Sequence, residues 1–264
     1  MKKQVRIVVA NPAGNITIFV LDSFAVEQYQ QVAKQLFELK EYGAEQIGFV
    51  KSIGAENILD MSGLEFCGNA GRAFAMLCAR EQGIVSGLIR IKESGCEHEL
   101  QVSVAANKAK ISMPLPSAIF PLPANVVPGI AQGTVVDLGG IMHVVLPDVA
   151  SDEEVFIQLR NYIMERYNPL AMGVMFYDSC KASLTPIVYA KNVETTYWEG
   201  SCASGTCACV AALSQNLVGQ QGFSIKEPAG TLLAEVVRTQ EGLQEIFIDG
   251  DVELSNVLTV ELEV

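Results

Sequence analysis

The chain has 264 residues, half of them hydrophobic and 18% charged, with a formal net charge of −12. It is long enough for one large or two small packed domains and too apolar for disorder. It is also too acidic, and too poor in Lys/Arg runs, for nucleic acid or an anionic membrane to be its main partner. No apolar run reaches the ~20 residues of a membrane span, and seven cysteines in a chain without an export signal point to a reducing cytoplasm.

In chain order, MKKQVRIVVANPAG reads as a strand, and so does the β-branched run GNITIFVLD at 14–22. AVEQYQQVAKQLFEL then has the periodicity of a helix, and EQIGFV at 45–50 returns to a strand. EFCGNAGRAFA places Cys67 directly before a glycine-containing turn that opens an alanine-rich helix, with Gly83 as the expected stop. IRIKESG at 89–95 is strand-like.

The same order then recurs. GIMHVVLPD at 140–148 reads as a strand, and SDEEVFIQLRNYIMER as a helix with a capped acidic start at Ser151. GVMFYD at 173–178 is the returning strand. GSCASGTCACVAAL places Cys202 before small residues and an apolar helix, with Gly219 as the expected stop, and FSIKEPAG follows at 223–230. The IKE letters fall at nearly the same distance beyond each cysteine. The expected architecture is α+β with two homologous, pseudo-symmetric domains, residues 1–117 and 118–264, divided near the proline-rich stretch at 113–128.

A thiol at a helix start feels the positive end of the macrodipole and the first amide N–H groups, which favour the thiolate. The small residues that follow leave those amides accessible to an anion such as a carboxylate. Two such half-sites suit racemisation of an amino acid, in which one thiolate removes the α-proton and an opposed thiol protonates the other face. Cys78, Cys96, Cys180, Cys207 and Cys209 read as buried structural cysteines. The spacing of Cys202, Cys207 and Cys209, with His98 and His143 the only imidazoles, is not a zinc pattern, and the absence of C-x-x-C argues against a thiol–disulfide enzyme. A redox pair Cys67–Cys202 and a non-catalytic carboxylate binder remain open at this point.

Cys67-Gly68-Asn69 and Cys202-Ala203-Ser204-Gly205-Thr206 resemble the two catalytic-cysteine motifs of the cofactor-independent amino-acid racemases of the diaminopimelate epimerase family. The resemblance covers essentially the whole chain and is closest to the histidine racemase branch, through NPAGNITIFV, EQIGFV, MSGLEFCGNA, WEGSCASGT and EPAG. It implies two domains, each a barrel-like sheet around a central helix, with the site in the cleft between them and closing over the substrate. It further implies a homodimer that uses no pyridoxal phosphate, whose products feed opine-type metallophores. Cys67 and Cys202 carry over as the acid/base pair, and the amides of Gly68, Asn69, Ala203 and Ser204 as the carboxylate nest. Glu45 and Glu199 carry over as active-site carboxylates, and Asn15 and Gln46 as substrate contacts. Diaminopimelate epimerases clamp a distal carboxylate with an arginine that has no counterpart in ETTYWEGSC at 194–202, which weakens that substrate. Arg72 departs from the histidine racemase pattern. Trp198 reads more readily as core than as an imbedded ring for stacking on imidazole, and His143 as a strand residue rather than a catalyst.

Overall fold

The computed structural model describes residues 2–191 and 194–263. The chain divides into two compact units, residues 1–112 with 249–264, and residues 113–248. The returning C-terminus differs from a linear division at residue 117.

In the first unit, β1 (Lys2–Asn11) and β2 (Thr17–Val20) pair antiparallel, α1 (Tyr29–Glu38) follows, and β3 (Gln46–Ser52) returns parallel to β2. The parallel return needs a crossover, and α1 supplies it. Its apolar face, Tyr29, Val32, Ala33 and Leu36, packs on Val5, Ile7, Ile18 and Ile47, with the Tyr29 ring stacked on Phe49 at 3.8 Å. After β4 (Ile58–Met61) comes α2 (Gly68–Glu81), the expected cysteine helix. It is buried on nearly all faces and lies against β5 (Ser86–Glu93), β6 (Leu100–Ala105) and β7 (Lys108–Ser112), which pair antiparallel in that order. Gly83 just beyond α2 has φ +69°, the left-handed stop expected of it.

The second unit begins with β8 (Ala118–Pro121) and β9 (Thr134–Asp137), which pairs antiparallel with β10 (Ile141–Pro147). α3 (Glu153–Arg166) leads to β11 (Ala171–Asp178), parallel to β10, so the strand–helix–strand crossover occurs again. The cap is Asp152, one residue past Ser151; its Oδ1 accepts the Val155 N–H at 2.9 Å. β12 (Ser183–Ala190) and β13 (Thr195–Trp198) continue the sheet. The second cysteine helix, α4 (Ala203–Leu213), precedes β14 (Gly219–Glu227), β15 (Gly230–Thr239) and β16 (Gly242–Asp251). Here the stop differs from expectation: α4 ends at Leu213, and Gly219 opens β14 instead. Ser214 ends the helix because its side chain is held by the Arg238 Nε at 3.0 Å, while the same guanidinium donates to the Ala211 carbonyl.

The chain then rejoins the first unit through β17 (Glu253–Leu254) and β18 (Leu258–Glu263), both antiparallel to β1. Mixed α+β architecture dominated by sheet is therefore what the sequence folds into. No helix among the described residues is long and apolar enough to cross a membrane.

Candidate active site

Each unit places its motif cysteine at the N-cap of its buried helix. Cys67 has φ −135° and ψ 100°, and Cys202 has φ −130° and ψ 100°, the extended geometry of an N-cap residue. The first helical ladder bonds run from Gly71 N–H to the Cys67 carbonyl at 2.9 Å and from Thr206 N–H to the Cys202 carbonyl at 2.8 Å. The amides before them, of Gly68 and Asn69 in one helix and Ala203 and Ser204 in the other, precede the ladder, where a helix start favours an anion.

In the first unit the half-buried Cys67 Sγ lies 3.9 Å from Asn15 Oδ1, and Asn15 Nδ2 donates to Glu45 Oε2 at 2.7 Å. Asn15 is 2% exposed, so its amide is fixed by packing as well as by this chain of contacts. Three of the expected residues are thereby brought together. Gln46 is the neighbour of Glu45 at the start of β3, where both backbone amides donate to the Ile16 carbonyl. Asn69 is buried, and its Oδ1 accepts Arg72 Nη2 at 2.9 Å. Arg72, completely buried, also donates through Nη1 to the carbonyls of Gly250 at 3.0 Å and Ala109 at 3.4 Å. It braces the first turn of α2 from inside and does not face solvent.

In the second unit Cys202 is 5% exposed; its Sγ accepts the Gly205 N–H at 3.3 Å and lies 3.5 Å from Ser204 Oγ. Burial pushes its thiol well up, and the charges of Glu199 and Glu227 push it further, so Cys202 is held in the protonated form.

A family-level comparison fits this geometry. The sequence model of the family described as "Histidine racemase CntK N-terminal domain" matches residues 4–258. The chain belongs to the histidine racemase family. Membership makes it an isomerase of the racemase type, rather than a non-catalytic carboxylate binder, acting on an amino acid. A histidine racemase of Staphylococcus aureus is 26% identical over 251 residues, covering 92% of each chain. One of Fusobacterium nucleatum is 33% identical over 263 residues, again covering 92% of each. Among solved structures, a PhzF-family phenazine biosynthesis protein of Bacillus anthracis matches with a TM-score of 0.70 at 15% identity, over 98% of this chain and 99% of that one. A hydroxyproline epimerase of Agrobacterium vitis matches with a TM-score of 0.63 at 8% identity, over 98% and 93%. At these identities the structural likeness concerns the fold alone.

Trp198 lies elsewhere than the sequence suggested, whereas His143 lies in a strand, as expected. Trp198 is 53% exposed at the end of β13, so it is not core. His143 is fully buried in β10, and its Nε2 lies 3.0 Å from Ser204 Oγ, which joins it to Cys202 through one hydroxyl. Its Nδ1 has no hydrogen-bond partner among the described residues. The facing residue of β11 is Gly173, where a Cβ would come 2.5 Å from that nitrogen, so only glycine leaves room for the ring. Burial lowers the His143 pKa from its ordinary 6.5 to about 3, and the ring is neutral at physiological pH.

That shift predicts a pH dependence of stability. Between pH 6.5 and about 3 the unfolded chain binds a proton at His143 that the folded chain does not, so stability is present above this window and is lost as pH falls through it. The expected slope is about 1.4 kcal/mol per pH unit. Urea unfolding from pH 7 to pH 5 should give a wild-type slope more positive than that of His143→Gln by about this amount, since the buried Glu93, pushed up by burial, contributes with the opposite sign to both proteins alike. An unchanged slope in the variant would refute the assignment.

Proposed function

We propose that the protein interconverts L- and D-histidine without pyridoxal phosphate, with the thiols of Cys67 and Cys202 taking opposite faces of Cα. The observation that carries this reading is the matched pair: two cysteines with nearly the same N-cap conformation, each opening a buried helix, in a chain of the histidine racemase family. One thiolate sulfur takes the α-proton as the Cα–H bond breaks, and the other thiol delivers its proton to the opposite face. The roles exchange in the reverse direction. The helix-start amides of Gly68, Asn69, Ala203 and Ser204 hold the substrate carboxylate and oppose the charge that develops on it as Cα loses its proton. Asn15 and Glu45, with Gln46 beside them, and Glu199 face the ammonium and imidazole groups, for which carboxylates and amide oxygens are suitable acceptors.

Histidine is favoured over diaminopimelate by the fate of the arginine in the first motif. A distal carboxylate needs a paired cation when it is desolvated, and Arg72 is wholly buried and donates to Asn69 and two main-chain carbonyls. The thiol mechanism requires a reducing cytoplasm; all seven cysteines are thiols rather than disulfides. A homodimer and a role in supplying D-histidine for an opine-type metallophore complete the proposal. Loss of optical activity, followed with histidine, diaminopimelate and a panel of other L-amino acids, tests the substrate. Turnover of histidine is the expected result, and turnover of diaminopimelate alone would overturn it.

A further inference from the structure

Two buried glutamates that the mechanism above does not use lie behind the two cysteines. Glu93, the last residue of β5, accepts the Cys67 N–H on Oε1 at 2.8 Å, and Glu227, the last residue of β14, accepts the Cys202 N–H on Oε2 at 2.5 Å. They are 3% and 8% exposed. Each carboxyl group thus fixes the main chain of one N-cap from inside its own unit.

Their second oxygens meet different environments. Glu227 Oε1 accepts the Thr206 hydroxyl. The fifth residue of the first motif is Gly71, which has no hydroxyl to offer. Glu93 Oε2 has no hydrogen-bond partner among the described residues, and a Cβ placed on Gly71 would stand 2.5 Å from it and 2.9 Å from Ile111 Cδ1.

We propose that Glu93 and Glu227 are positioning residues for the two thiols and that the exchange of Gly71 for Thr206 makes them unequal: Glu227 stands as a carboxylate that holds Cys202 as a thiol, while Glu93 stands as a neutral carboxyl group. The hydroxyl and amide donors at Glu227 favour its charged form. Burial among Ile91 and Ile111, with one donor only, disfavours the charged form of Glu93, and the charge of Glu65 disfavours it further. The groups facing Cys202 are Glu199, Glu227, Ser204 and the Gly205 N–H, with the neutral His143 behind Ser204; those facing Glu93 are the Cys67 N–H, Glu65 and Cys96. In the resting protein Cys202 is therefore the proton donor of the pair. That last consequence rests on the two-thiol reading, whereas the charge states do not.

Infrared difference spectra of the full-length protein at neutral pH test the charge states without any turnover. Glu93→Gln is expected to remove a protonated-carboxyl C=O stretch, and Glu227→Gln a carboxylate stretch. Thiolate absorbance, taken as the difference between each protein and the same protein carrying Cys202→Ser, should show the Cys202 midpoint lower by about one pH unit or more in Glu227→Gln. Thr206→Val, which keeps the shape and removes the hydroxyl, should move it the same way and serves if Glu227→Gln does not fold. A carboxylate stretch lost in Glu93→Gln, a protonated stretch lost in Glu227→Gln, or an unmoved Cys202 midpoint would overturn the proposal. Charge states as expected in a protein that fails to racemise histidine would leave this inference standing and refute the proposed function.

Discussion

Replacing Cys67 or Cys202 by serine is expected to lower the rate of histidine racemisation by roughly 10²–10⁴-fold. A serine hydroxyl is too weak an acid to be ionised near neutral pH, so it cannot replace a thiolate base and is a poor partner as acid. Because the α-proton must be removed on one face and replaced on the other, loss of either thiol interrupts both directions of reaction. The double variant is therefore expected to be little worse than the singles, the non-additivity of groups that act as a unit. Chiral chromatography of reaction mixtures measures this directly. Near-normal turnover in either single variant would refute the paired assignment. Both substitutions change one atom at an N-cap, so circular dichroism should show the fold retained.

Arg72→Met is expected to destabilise the first unit by about 3 kcal/mol, since each buried acceptor left without a donor costs roughly 1–3 kcal/mol. Methionine matches the aliphatic stem, so the loss is not one of packing. It leaves Asn69 Oδ1 and the Gly250 and Ala109 carbonyls without the guanidinium that bonds them. Relief from burying a charge works in the opposite direction, but three acceptors lose their donor together. Asn69 opens the helix beside Cys67, so kcat should fall by up to about 10²-fold as that turn loses its orientation. Urea unfolding and steady-state kinetics check the two parts. Unchanged stability would show that the guanidinium is not the brace described here.

The parts of this molecule that depend on local pattern were legible in its sequence. The β2–α1–β3 and β10–α3–β11 crossovers follow from β-branched runs flanking a 3.6-residue period, and both cysteine helices begin where a small-residue turn follows the thiol. Pairings between distant segments were not legible. β18 joins β1 across nearly the whole chain, and nothing local in LTVELE indicates its partner. Gly219 misled because a glycine after an apolar helix reads as its stop, whereas the Ser214–Arg238 contact ends α4 earlier. His143 and the two glutamates were visible only as letters within strands. Their roles arise from burial against the Cys202–Ser204 turn and the Cys67 and Cys202 main-chain N–H groups, which are contacts between segments far apart in sequence. Trp198 shows the converse: a single tryptophan favours a core, yet its place at the end of β13 leaves it largely in solvent.

The most direct test of the two-thiol account is the initial isotope pattern of racemisation in D2O, started from L-histidine without added pyridoxal phosphate. Two thiols on opposite faces deliver a solvent-derived deuteron only to the product, so early samples should contain D-histidine deuterated at Cα and recovered L-histidine still protiated. Deuterium appearing equally in both enantiomers from the first samples would mean that one base serves both faces, and no deuterium in either would mean that the α-proton is not exchanged at all. Either result would contradict the account.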